Sequence, residues 1–377
     1  MESQNLGRGI CIIVKLTNSC DLACNYCGTA VPNTYRGKTY TELMRLDQIY
    51  NLYSILSRSQ QITNIDFLWH GGEPLLINLT TLDNIMNAQN VLSDKTITNS
   101  IQTNGTLITD AAAKLIKKHK IRVGVSLDGP KEIQDAQRPM RGNSRSSFDL
   151  TMKGIDILKK YDIPFGVLAV TTKKTLELGA KNLFEFFVKN NITTFDFLPQ
   201  EPILFDGKQL TDYIYSSEEY SNFLINLFDT WYNYDDPKVS IIYYEALIKT
   251  LLNKNSGICQ IGKDTCVDTV FTFYSDDTLV ICDKFPRSDD DKNIMKITIK
   301  SIKSMDDVFS SEEYKRGLIY QTKSNKHCGN CEWFSYCHGG CVYDRYMYEK
   351  LNLHFDHRKC PLYSLYGHVS SIIMEEA

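Results

Sequence analysis

The chain has 377 residues, of which 42% are hydrophobic and 23% charged, with a formal net charge of −3. This is ordinary globular composition, long enough for one large domain plus a smaller module, and the absence of a lysine/arginine block argues against a nucleic-acid or anionic-membrane partner. The opening MESQNLGRGI lacks the basic-then-apolar layout of a signal peptide, and no apolar run reaches the roughly 18 residues a membrane helix needs, so a cytoplasmic protein is expected.

From residue 10 onward, short β-branched runs alternate with longer amphipathic stretches. The apparent strands are CIIVKLT from Cys11, NIDFLWH from Asn64, NSIQT from Asn99, RVGVSL from Arg122, PFGVLAVTT from Pro164 and TTFDFL from Thr193. Between them LDQIYNLYSILSRS, TTLDNIMNAQNVL, DAAAKLIKKHK, FDLTMKGIDILKKY and AKNLFEFFVKNN carry apolar residues at helical spacing, and SSEEYSNFLINLFDTWYNY follows the last strand. Six βα units in succession predict an α/β fold with a parallel sheet, either open or curled into part of a barrel. Ligand sites in such folds lie beyond the carboxyl ends of the strands. Four polar or glycine-containing turns fall there: the cysteine triplet after the first strand, HGGEP at 70–74, QTNGT at 102–106 and SLDGP at 126–130.

The 12 cysteines are concentrated at the two ends. Cys11 lies in the first apolar strand and reads as a small buried residue; Cys20, Cys24 and Cys27 follow it; none occurs between Cys27 and Cys259, and eight occupy the last third. In a reducing compartment such clusters bind metals or carry redox chemistry. A four-cysteine set closes a tetrahedral zinc or saturates an iron–sulfur cubane, whereas three thiolates leave a metal position open. In HGGEP, Gly71 and Gly72 allow close approach of backbone to a ligand, and Glu73 can accept from an ammonium group.

The C-x3-C-x2-C spacing after a first strand, with Tyr26 just before the last cysteine, resembles the signature of radical S-adenosylmethionine enzymes, and GGEP resembles their second motif. The resemblance implies a partial (β/α)6 barrel and a four-iron, four-sulfur cluster on Cys20, Cys24 and Cys27. The open iron would chelate the amino and carboxylate groups of S-adenosylmethionine, whose cleavage yields a 5′-deoxyadenosyl radical. It implies Tyr26 beside the adenine, Glu73 near the methionine amino group, Ser126 near the ribose and Arg138 near the carboxylate. Arg141 competes for that last place, and Asn104 faces the site.

The C-terminal CGNCEWFSYCHGGC, with Cys360 beyond it, resembles the SPASM extension of these enzymes. That resemblance implies two auxiliary clusters: one on Cys259, Cys266, Cys282 and Cys341, the other on Cys328, Cys331, Cys337 and Cys360. Zinc is the competing occupant, because C-x2-C is also a generic zinc knuckle. Where the family usually has glycine, five residues before Cys282, this chain has Asp277, which puts the turn geometry in question. The expected organisation is a barrel over 1–200, a mostly helical bridge over 201–258 and the SPASM module over 259–377.

SIQTNGT, VGVSLDGP and the Cys282–Asp283 pair resemble anaerobic sulfatase-maturing enzymes and maturases of ribosomally made peptides, both of which oxidise residues within a polypeptide. Asp283 matches the place of a general base; a solvated loop aspartate is its plainer reading. The first expectation is a maturase that oxidises or crosslinks a ribosomal precursor peptide, because the triplet continues GTAVPN rather than with the aromatic YYL of the sulfatase group. The alternative is formylglycine formation on a sulfatase cysteine or serine. A non-catalytic iron–sulfur electron carrier is the third reading, opposed by the GGEP and SLDG segments. Partners implied are the substrate polypeptide and an external electron donor such as flavodoxin or ferredoxin. The first ten residues leave no room for a leader-recognition domain, so a separate leader-binding protein, or the barrel together with the 200–258 bridge, would have to bind the leader.

Overall fold

The computed structural model describes residues 7–28, 42–201, 216–254, 266–285, 296–324, 328–350 and 360–376, with positions 204, 205, 208, 209, 258 and 358 besides. Strand β1 (Arg8–Lys15) shows why a period of two builds a layer: Ile10, Ile12 and Val14 are at most 2% exposed on one face, while Cys11, Ile13 and Lys15 take the other. Strands β2 (Ile62–His70), β3 (Thr96–Thr103), β4 (Arg122–Ser126), β5 (Phe165–Thr171) and β6 (Thr194–Pro199) follow, each parallel to its predecessor.

Parallel neighbours require crossovers. These are α1 (Leu46–Ser57), α2 (Leu79–Asn87), α3 (Asp110–Lys118), α4 (Lys131–Gln137), α5 (Ser147–Lys160), α6 (Lys173–Leu178) and α7 (Ala180–Lys189). Helix α1 buries Ile49, Leu52, Tyr53 and Leu56, spaced by three or four residues, against the sheet. Asn78, Thr109, Ser146 and Thr172 start α2, α3, α5 and α6 by accepting a first-turn N–H. Strands one to six lie side by side in chain order, the order of a curling barrel rather than of a doubly wound sheet with a switch point.

Beyond β6 a small hairpin, β7 (Leu204–Phe205) and β8 (Lys208–Gln209), precedes α8 (Ser217–Tyr234). Strand β9 (Ser240–Ile241) extends the sheet past β6 and leads into α9 (Ile242–Leu251), so this stretch is helical with one strand built into the barrel. The cysteine-rich end does the same on the opposite side. β10 (Val270–Phe273) pairs parallel with β1, Cys11 opposite Val270 and Val14 opposite Phe273. β11 (Thr278–Ile281) and β12 (Lys296–Thr298) add antiparallel, giving ten strands in one sheet among the described residues.

The turn between β10 and β11 uses Asp277 at φ 64, in the left-handed region where glycine was expected. Its carboxylate accepts from Gln48 Nε2 at 2.8 Å and pairs with Lys300 at 2.8 Å, so side-chain anchors offset the backbone cost. Helices α10 (Met305–Ser310), α11 (Glu312–Ser324), α12 (Phe334–Cys337), α13 (Val342–Lys350) and α14 (Pro361–Glu376) complete the chain, with α14 packed on α8. Among the described residues no helix is long and apolar enough to cross a membrane.

Candidate active site

The turn after β2 is bonded directly to the cysteine loop after β1. Gly72 N donates to Thr17 O at 2.6 Å and Glu73 N to Ser19 O at 2.8 Å. A Cβ on Gly71 would stand 2.2 Å from Thr17 O, and one on Gly72 1.9 Å from Ser19 O. The close approach that requires these glycines is therefore to the protein's own backbone. The triplet is held from two further turns. Asn104 Nδ2 and Thr106 Oγ1 donate to Asp21, the residue after Cys20, and Arg141 donates to Cys20 O at 3.1 Å and Leu22 O at 3.3 Å. Asn104 and Arg141 thus carry the loop itself.

Glu73 is fully buried. Oε1 accepts from Leu75 N at 3.0 Å and Thr103 Oγ1 at 2.7 Å, and Oε2 from Asn104 N at 2.8 Å. A carboxylate offers about four lone-pair sites, so one remains for an outside donor. Burial pushes the carboxyl up to about 7 against those three donors.

Asp128, inside SLDGP, organises the neighbouring corner. Tyr26 Oη and Gln137 Nε2 donate to its Oδ2, and Arg138 NH2 and Val170 N to its Oδ1, the latter two at 2.9 Å. The Arg138 guanidinium lies 5.3 Å from the Tyr26 ring centroid. Its Nε is buried and has no partner among the described residues, a deficit that an anionic ligand group beside the triplet would relieve. Ser126 Oγ accepts from Gln102 Nε2 at 3.0 Å on the inner face of β3 and β4.

A second polar group closes the inner face of β1 and β2. Lys15 and His70 end these strands in register, and Lys15 Nζ bridges His70 Nδ1 at 3.3 Å and Asp283 Oδ2 at 3.1 Å. Asp283 arrives from the end of β11 because Cys282, at φ 54, turns the chain inward. Burial raises the Asp283 carboxyl, but Lys15 and His70 outweigh it and hold the group well below the usual carboxylate range. His70 is pushed down to about 4 by burial and then by Lys15. Its Nδ1 accepts from Gly71 N at 2.7 Å, so the neutral ring carries its hydrogen on Nε2.

The sequence reading missed Asp21, Asp128, Lys15 and His70. Three stand inside motifs that were singled out, Asp21 in the cysteine triplet, His70 in HGGEP and Asp128 in SLDGP, and Lys15 is a charge in an otherwise apolar strand, which is the signal that could have found it.

The C-terminal cysteines gather in two groups. Cys266, Cys282 and Cys341 pack against one apolar cluster of Phe285, Val342, Tyr343, Tyr346 and Met347. Cys259, their expected fourth member, lies outside the described residues. Burial raises the Cys360 thiol to about 12, with Cys337 and Cys328 adding to it, and Cys328 rises to about 11 by burial and by Cys337 and Cys331. In the triplet, burial lifts Cys24 to about 12, Arg138 opposing and Cys27 reinforcing. A positive metal group would convert such closely gathered, buried thiols to thiolates, and three or four cysteines per group is the donor set an iron–sulfur cluster takes.

The barrel, with a three-cysteine loop at its carboxyl rim and further cysteine groups in the C-terminal part of the chain, defines a radical S-adenosylmethionine enzyme. The radical SAM superfamily model matches residues 14–177. The chain is 30% identical over 341 residues to a cysteine-type anaerobic sulfatase-maturating enzyme of Clostridium perfringens (strain 13 / Type A), covering 88% of each. A serine-type enzyme of Bacteroides thetaiotaomicron is 27% identical over 342 residues, 87% of this chain and 81% of that protein. The structure of native anSMEcpe with bound AdoMet and Cp18Cys peptide superposes with a TM-score of 0.77 at 26% identity, over 97% of this chain and all of that one. The chain belongs to the radical SAM/SPASM family that includes the anaerobic sulfatase-maturating enzymes.

Proposed function

We propose that this enzyme oxidises a cysteine or serine side chain within a polypeptide to formylglycine, the reading that its likeness to cysteine-type and serine-type anaerobic sulfatase-maturating enzymes supports. Similarity over 88% of both chains favours this over the precursor-peptide maturase expected from the sequence. The observation that carries the chemistry is Asp283, kept ionised by Lys15 directly beside Cys282.

Cys20, Cys24 and Cys27 would hold the first cluster, Glu73 and Arg138 the amino and carboxylate groups of S-adenosylmethionine, and the two C-terminal groups, with Cys259, the auxiliary clusters. When bound, these groups supply a hydrogen-abstracting carbon radical and a sink for one electron. Loss of a hydrogen atom from the β-carbon of a substrate cysteine leaves one electron and one proton to remove. The thioaldehyde so formed takes up water and releases hydrogen sulfide, giving the aldehyde. Asp283 takes the thiol proton. Lys15 keeps it ionised beforehand, and its grip must slacken as the carboxylate is protonated. Reduction of the first cluster calls for an external donor such as flavodoxin or ferredoxin.

The test is anaerobic incubation with a peptide copied from the cysteine segment of a sulfatase and deuterated at the β-carbon. Wild type should place deuterium in 5′-deoxyadenosine and yield an aldehyde. Asp283→Asn should transfer the label and lose most of the aldehyde, because abstraction precedes deprotonation. Full aldehyde yield from that variant would return Asp283 to a structural role. GTAVPN after the triplet favours the second reading, a precursor-peptide maturase aided by a leader-binding protein. Label transfer from such a peptide, and none from the sulfatase peptide, would select it.

A further inference from the structure

Asp283 reaches Lys15, whereas its neighbour Lys284 reaches the opposite way, into the cysteine-rich module. Lys284 Nζ donates to Glu201, just past β6, and stands 5.9 Å from the centroid of Tyr343. Tyr343 belongs to the apolar cluster that carries Cys266, Cys282 and Cys341. The Lys284 and Glu201 side chains are only 22% and 21% exposed. Ion pairs this sheltered contribute little net stability, since apolar residues of similar volume would serve as well. Stability alone therefore does not account for a lysine here. Its charge stands beside the cysteine group by geometry: Lys284 lies two residues beyond Cys282, and the ring its ammonium group faces, Tyr343, lies two residues beyond Cys341 in the same packed cluster.

We infer that Lys284 sets the electron affinity of the group held by Cys266, Cys282 and Cys341, with Glu201 as the opposing trim. This rests on the reading that these cysteines bind an iron–sulfur cluster. Accepting one electron makes a thiolate-ligated cluster more negative by one charge. A fixed cation in a poorly hydrated site stabilises that reduced state more than the oxidised one. The substrate radical loses one electron and the cluster gains it, while the proton goes to Asp283, one residue away in the chain. Adjacent residues thus serve the two halves of one oxidation.

The experiment uses the full chain with Cys20, Cys24 and Cys27 replaced by alanine, so that only the C-terminal clusters are titrated. Iron content and the midpoint potentials, followed by electron paramagnetic resonance, are the readouts. Lys284→Met should keep iron and lower the equilibrium constant for reduction of one cluster about tenfold, which is about 59 mV for a one-electron couple. Lys284→Arg should return it to within about threefold of the starting protein. Glu201→Gln should move the same couple upward. A Lys284→Met protein with full iron and unmoved potentials overturns the inference, as does a Glu201→Gln shift in the Lys284→Met direction. Should Lys284→Met lose iron, Glu201→Gln decides alone, an unmoved potential counting against. Failure of the underlying reading looks different: Cys282→Ala and Cys341→Ala would then retain all their iron.

Discussion

Glu73 and His70 stand three residues apart at the end of β2, and burial disfavours the charged form of each. Their effects on stability run in opposite directions with pH. Between about pH 4 and 6.5 the unfolded state protonates His70 and the folded state does not, so stability rises with pH across that window. Between about pH 4.5 and 7 the folded state holds the Glu73 proton longer, so stability falls as pH rises. Each contribution is up to roughly 3 kcal/mol, and in the wild type they largely cancel. Relative to wild type, metal-free His70→Gln should gain stability at pH 5 over pH 7, and Glu73→Gln should lose it, each by about 1–3 kcal/mol. Urea midpoints at the two pH values decide this, and identical slopes in all three proteins would refute the burial argument.

At the scale of elements, the HGGEP turn shows how a motif serves two neighbours. Gly72→Ala puts a methyl group where Ser19 O already stands, so the turn and the cysteine loop must part. This variant should lose the triplet's iron, about four per chain, and its cleavage of S-adenosylmethionine, while the C-terminal clusters stay filled. Full iron with wild-type cleavage would show that the loop relaxes freely. All six strands read from the sequence are present, because each carries its own β-branched run and flanking turn. The rim was legible for the same reason: SLDGP and HGGEP are local. What was not legible is pairing between distant segments. Nothing in VFTF announces that β10 lies along β1, or that a residue following β11 reaches Lys15. Asp277 shows a smaller limit: the left-handed turn was expected to want glycine, and the anchors that let aspartate take it come from Gln48 and Lys300, remote in sequence.

For the whole molecule, three clusters would require about twelve irons in anaerobically reconstituted protein. Colorimetric iron should fall by about a third when Cys20, Cys24 and Cys27 are replaced together, and by a different third for Cys328, Cys331, Cys337 and Cys360. Zinc in place of iron throughout would remove the basis of the proposed chemistry. The interleaved cysteine order, with Cys341 joining the earlier group and Cys360 the later, means the C-terminal segment folds back before either set is complete.

The parallel pairing of β1 with β10 sets the timing of biosynthesis. Cys11 meets Val270, so at about 5–20 residues per second the first strand leaves the ribosome tens of seconds before its outer neighbour exists. Throughout that interval the flank of ICIIVK is an open, strongly apolar edge able to template intermolecular pairing. Slower elongation prolongs that exposure, and chaperones that shield nascent β-edges shorten it. Yield in a foreign host should therefore follow translation speed and holdase supply more closely than iron supply.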